Sequence, residues 1–259
     1  MGGDVKPSLG RRLLAEAVGT ALLVTVVVGS GIAAHRLSPG DVGLQLLENS
    51  TATALGLAVL ILMFGPVSGA HFNPVVSLVD WALGRRAGTG LPATDVAAYT
   101  SAQVIGAVAG AGLANAMYGL DLVQVAQHER ASGSAFLAEV VATAGLVFLI
   151  LALARTGRGA VSAAAVGAYI GAAYWFTSST SFANPAVTIG RIFSDTFAGI
   201  APSSVPAFVL AQLTGGVVGA ALILVLYPDA PRAADDVVVP HSTVIDTPAD
   251  TSADERVTS

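Results

Sequence analysis

The chain has 259 residues, 54% of them hydrophobic and 11% charged, with a net charge of −5, whereas a soluble domain carries about 25% charged residues. Together with a mean hydropathy of +0.72, this excludes an ordinary soluble domain. The absence of cysteine excludes disulfides, thiolate metal sites and thiol catalysis. His35, His71, His128 and His241 are scattered without ligand spacing, and no nucleophile or cofactor loop stands out. No enzyme, no cofactor, no metal site and no nucleic-acid partner is expected.

Only helices and closed barrels satisfy backbone groups in lipid. The apolar runs here lack the alternation of barrel strands, so an all-α membrane protein is predicted. Residues 1–11 form a short N-terminus carrying Lys6 and Arg11. The apolar run behind it, Leu13 to Ala34, is 22 residues long. A signal h-region has about 7–15, so this run is a spanning helix. Spans follow at 12–34, 46–65, 96–118, 135–154, 160–177 and 205–227. Two more apolar pieces, Pro74–Leu83 and Pro185–Phe193, are too short to cross, since a span needs about 20 residues. A channel domain is therefore placed at 12–227. Residues 228–259 hold seven acids and two arginines among Pro, Ser and Thr, and read as a disordered, solvated tail.

Lys and Arg set the orientation. With the N-terminus inside, Lys6, Arg11, Arg12, Arg85, Arg86, Arg155 and Arg158 are cytoplasmic, while Arg36, Arg130 and Arg191 face out. Both termini are therefore expected in the cytoplasm, in a multi-pass protein of the plasma (bacterial inner) membrane.

The two halves, about 12–118 and 135–227, repeat. "LLAEAVGTALLVT" (13–25) matches "FLAEVVATAGLVF" (136–148), "FNPVVSL" (72–78) matches "ANPAVTI" (183–189), and "AQVIGAVAGA" (102–111) matches "AQLTGGVVGA" (211–220). Each half has three spans, so the second copy enters from the opposite side. Such an inverted 3+3 repeat places a solute path at the midplane.

Asn is a preferred N-cap and Pro a preferred first helical residue. Asn73-Pro74 and Asn184-Pro185 thus start two half-helices, and inversion aims their N-termini at each other. Each N-terminus carries roughly half a positive charge, which repels cations, and each Asn amide can donate to a passing oxygen. A neutral hydrogen-bonding solute passes such a spot more easily than an ion.

These motifs resemble the aquaporins, the major intrinsic proteins. The likeness covers residues 12–227 and rests on "AEAVGT", "SGAHFNPVVSL", "FANPAVTIG" and the Gln-bearing third and sixth spans. It implies six tilted helices, two re-entrant half-helices and a homotetramer with one pore per subunit. The half-helix caps would be Asn73, Pro74 and Val75, then Asn184, Pro185 and Ala186. Glu16 and Glu139, equivalent in the repeat, would hold the half-helix loops. His71 resembles a loop histidine that influences gating in some members, and is expected rather to pack in and help hold its loop. Gln103 and Gln212 bond either the half-helix backbone or a neighbouring helix. Gly106/Gly110 and Gly215/Gly219 form GxxxG pairs, which permit close helix approach.

The resemblance also exposes a departure. Most aquaporins follow the second Asn-Pro-Ala with a pore-narrowing Arg, and here Val187 stands there. Arg191, four residues on, is expected to pair with Asp195 at i+4 on the surface. The other filter positions come from spans two and five, where the alignment gives Leu55 with either Tyr174 or Ala172. The loop contributes Ser181 or Phe182. A filter without His or Arg is wider and uncharged. The resulting expectation is a passive channel for water and small uncharged solutes: polyols, urea, or metalloid hydroxides such as arsenous acid. Thr188, where glycerol facilitators usually carry Asp, does not favour glycerol itself. The alternatives are a water-selective aquaporin, a non-conducting junction protein and, least favoured, a coupled secondary transporter.

Overall fold

The computed structural model describes residues 7–85 and 88–228. The acidic tail expected from residue 228 onward lies, beyond that first residue, outside the described part.

Eight α-helices follow in order: α1 (Leu9–Leu37), α2 (Val42–Ser68), α3 (Pro74–Gly84), α4 (Ala93–Met117), α5 (Gly133–Arg155), α6 (Ser162–Phe176), α7 (Pro185–Gly190) and α8 (Val205–Leu226). Among the described residues six are long and apolar enough to cross a membrane, α6 counted with the 3₁₀ turn that leads into it (Gly159–Phe176); α3 and α7 are not. The protein is thus a multi-pass integral membrane protein with an all-α fold. The spans run a few residues beyond their apolar cores because polar and capping residues extend them. Asp41 Oδ1 accepts from the Leu44 N–H at 2.9 Å ahead of α2, and Ser132 Oγ accepts from the Ala135 N–H at 3.1 Å ahead of α5.

Hydrophobic transfer does not drive helices together in lipid, so close packing must. α1 lies against α4, and α5 against α8. A Cβ on Gly106 or Gly110 would run into the carbonyls of Ala17 and Ala21. In the other half, a Cβ on Gly215 or Gly219 would sit 2.6 Å from the carbonyls of Val140 and Ala144. The four glycines are at equivalent repeat positions, so both helix pairs are drawn together by one device. α2 and α6 close the bundle, with Gly167 against the Ala54 carbonyl. The half-helices fill the centre, α3 on α4 and α8, α7 on α4 and α8.

Candidate functional site

Each half-helix hangs from a loop that a single buried carboxylate organises. Glu16, fully enclosed, accepts through Oε1 from Ser68 Oγ (2.6 Å) and the His71 N–H (3.0 Å). Its Oε2 accepts from the Phe72 N–H (2.7 Å) and Gln103 Nε2 (2.8 Å). Glu139 repeats the pattern: Ser179 Oγ (2.6 Å), Phe182 N–H (2.8 Å), Ala183 N–H (2.8 Å) and Gln212 Nε2 (2.7 Å). Turning successive N–H groups toward one carboxylate forces the backbone into the left-handed region at Ala70, Phe72, Ser181 and Ala183, with φ near +48°. Such conformations cost roughly 1–3 kcal/mol each and persist only where the surroundings impose them. Here the carboxylate does so, and the bonds in turn satisfy the buried loop donors. Gln103 and Gln212 also reach the half-helices, donating to Ser77 Oγ (3.1 Å) and Thr188 Oγ1 (2.9 Å).

The loops deliver the two helix tips to one another. Asn73 caps α3, its Oδ1 accepting from the Val75 N–H at 3.0 Å; Asn184 caps α7, accepting from the Ala186 and Val187 N–H groups at 2.9 and 3.2 Å. Their amides exchange. Asn73 Nδ2 donates to the Ala183 carbonyl at 2.8 Å, and Asn184 Nδ2 to the Phe72 carbonyl at 2.7 Å. One N–H of each amide is used in this exchange, leaving a second for a solute. Both asparagines line a cavity of about 60 Å³.

The cavity wall is mostly aliphatic. Thr53, Leu57 and Ile61 of α2 contribute a stripe at four-residue spacing, and Val166, Ile170 and Tyr174 of α6 a second. Val76, Leu146 and Ile150 line it as well. Polar groups concentrate beyond α7's tip, on the side where α1 ends, with Gly31 against Ala198. Thr53 Oγ1 and Tyr174 Oη are joined at 3.3 Å across the space between α2 and α6. Ser181, Phe182, Val187 and Arg191 complete this mouth. His71 also lines the cavity, its Nδ1 3.0 Å from Ser77 Oγ.

Several sequence-based expectations need correction. Leu55 is 65% exposed and Ala172 is also exposed, so neither faces the cavity. Each lies two residues from a lining residue, which puts it on the other side of its helix. Of the alternatives for α6, Tyr174 is the residue in the wall, and both Ser181 and Phe182 line the cavity. Val75 points away from the solute path. Its Cγ1 occupies the space where a Cβ on Gly216 of α8 would sit.

Arg191 is the largest departure. It is not a surface residue paired with Asp195 but 2% exposed and part of the cavity wall. The chain leaves α-helical geometry at Gly190 and continues as a 3₁₀ turn, Arg191–Phe193. This turn directs the guanidinium back over the Phe182 ring, 3.5 Å from its centroid, with Nε donating to the Ala198 carbonyl. Asp195 instead accepts from the Gln127 N–H at 2.9 Å. The mouth is therefore not uncharged. Arg130, from the α4–α5 connection, stands over the same ring at 5.4 Å. Sequence reasoning missed Thr53 and Arg130. The four-residue spacing of Thr53 with Leu57 and Ile61 was the available sign for the first; nothing local marked the second.

Comparisons with known proteins show the family and the fold. The family model described as Major intrinsic protein matches residues 5–183 and 159–249. The chain is 51% identical over 215 residues to the aquaglyceroporin AqpS of Rhizobium meliloti, covering 83% of this chain and 89% of that protein. It is 30% identical to the probable aquaporin AqpM of Archaeoglobus fulgidus, covering 82% and 95% of the two. The X-ray structure of the aquaglyceroporin from Plasmodium falciparum superimposes with a TM-score of 0.65 at 21% identity, covering 86% of this chain and 99% of that one. Two opposed asparagine tips inside six spans, together with these matches, make the chain a member of the major intrinsic protein family.

Proposed function

We propose that the protein is a passive channel, not an enzyme, conducting water and small uncharged solutes such as urea, polyols or metalloid hydroxides, arsenous acid among them, while excluding ions. The observation that carries this reading is the reciprocal amide exchange between Asn73 and Asn184, both of which line one cavity. It leaves two donors midway along a path whose wall is mostly aliphatic. Such a path replaces part of the hydration of a neutral molecule and little of that of an ion. The 51% identity to a protein named an aquaglyceroporin supports solutes beyond water. The solute-selecting group comprises Thr53, Tyr174, Ser181, Phe182, Val187 and Arg191. Residues 12–227 form the channel unit, assembled as a homotetramer in the plasma membrane with both termini cytoplasmic.

A water-selective pore is the second reading, and Arg191 in the cavity wall favours it. Stopped-flow light scattering on proteoliposomes separates the two. Permeability to water, glycerol, urea and arsenous acid is measured for the wild type and Val187→Arg. The expected result is solute flux above that of empty liposomes, reduced for the larger solutes but not for water by the substitution. Water flux alone supports the narrower pore; no flux above empty liposomes ends both readings.

A further inference from the structure

The mouth beyond α7's tip holds two guanidiniums and no carboxylate in contact with either. Among the described residues, neither Arg191 nor Arg130 has an acidic oxygen within 4 Å. Arg191 has five N–H donors, of which only Nε is bonded, to the Ala198 carbonyl. Its terminal nitrogens have no acceptor among the described residues, and the residue lines the cavity. Arg130 is fixed beside it: Nε donates to the Gly199 carbonyl at 2.7 Å and Nη2 to the Phe197 carbonyl at 2.9 Å. Both cations stack on Phe182.

No acid among the described residues contacts either guanidinium, and the charge of Glu139 acts on both only from a distance. Glu139 already accepts four hydrogen bonds, from Ser179, Phe182, Ala183 and Gln212. Asp195 accepts from the Gln127 backbone, and the exposed Glu129 accepts from Ser203 and Ser204 at its two oxygens. His128 adds little charge at neutral pH, since partial burial and then the two arginines lower its pKa. Burial pushes Arg130 down to about 10, which leaves it cationic. Ser181 lines the same cavity, but its hydroxyl oxygen is enclosed and adds no donor to the mouth.

We propose that a small monovalent anion from solution, of the size of chloride or nitrate, binds at this mouth on Arg191 and Arg130 and slows the passage of neutral molecules while bound. The site rests on the channel reading for its effect on flux but not for binding itself. Opposite charge attracts the anion, the unused guanidinium donors coordinate it, and it stands where the path is otherwise lined by Thr53 and Tyr174. Gluconate, whose carboxylate sits on a six-carbon hydroxylated chain, is the bulky comparison anion.

The test uses the full chain in proteoliposomes with sucrose as osmolyte, in sodium nitrate, chloride or gluconate at one ionic strength. Water permeability of the wild type is expected to fall in nitrate or chloride relative to gluconate, by about two-fold once the anion reaches its dissociation constant. Arg191→Met and Arg130→Met should each remove that dependence, while Arg36→Gln, at a cation removed from the cavity, should retain it. In parallel, the Tm in detergent should rise in nitrate over gluconate more for the wild type than for either Met variant; this difference cancels general salt effects. Should one Met variant fail to fold, the other decides. Wild-type flux equal in all three salts overturns the proposal, as does an unchanged anion dependence in both Met variants. Flux no faster than empty liposomes in gluconate would instead sink the channel reading, and the thermal shift alone would then decide whether the anion binds.

Discussion

Asp80 and Arg191 occupy equivalent positions of the two half-helices, in "FNPVVSLVD" and "ANPAVTIGR", and they do opposite things. Asp80 is buried near the far end of α3 and accepts from the Leu91 N–H at 2.8 Å, tying the half-helix to the segment that follows. It borders a small pocket of about 10 Å³ whose other walls are Val76, Val79, Val147, Ile150 and Leu151. Arg191 ends a shorter helix, turns back and enters the larger cavity with Phe182. Up to the Asn-Pro tips the two halves are near copies. Past them, α3 runs 11 residues along an aliphatic wall, whereas α7 stops after 6 and opens into a polar, cationic mouth. The shared parts bring the tips together; the parts that diverge give the path two different ends.

The sharpest way to break this comparison is at its symmetric centre. Glu16→Ala and Glu139→Ala each orphan four buried donors, at about 1–3 kcal/mol apiece. Both should lower stability by several kcal/mol and by similar amounts, read as the unfolding midpoint in detergent. A large inequality would show that one loop is held by something other than its carboxylate.

A smaller effect lies where the halves pack differently. Val75 fills a gap that Gly216 leaves on α8, whereas Ala186 is the matching residue in the second half. Gly216→Ala should cost about 1–3 kcal/mol by overpacking, and Val75→Ala in the same chain should recover most of it. Additive losses in the double-mutant cycle would mean that the contact is not what decides the site.

The smallest concerns the mouth itself. Tyr174→Phe and Thr53→Val each remove the hydrogen bond between α2 and α6, worth about 0.5–1.5 kcal/mol. Stability should fall by that amount in either single variant and no further in the double. Urea permeability relative to water should rise in each, as the bridging pair loosens. No change in the ratio would remove Thr53 from the selecting group.

Much of the architecture was legible because lipid leaves few options. Backbone satisfaction dictates helices, span length follows from hydrophobic thickness, and the repeats of "AEAVGT" and Asn-Pro stand out as strings. The half-helix caps follow from Asn and Pro chemistry alone. Facing was harder to read. Leu55 and Ala172 were misplaced because α2 beyond Thr53 and most of α6 are apolar all round, so hydropathy carries little rotational signal there. Only a polar residue in step with the wall, such as Thr53, marks the inner face.

The sequence by itself determined the membrane class, the number of spans, the inverted repeat and the starting points of both half-helices, since each depends on local composition or local capping. Tertiary structure decided which side of each helix meets the solute and where Arg191 goes. An arginine four residues past a motif looks exposed while the helix is assumed to continue. Its true position depends on α7 ending at Gly190, on the Ala198 carbonyl that accepts from it, and on the Phe182 ring beneath it. Those contacts, and the approach of Arg130 from a distant connection, arise from chain packing and have no signature in residue spacing.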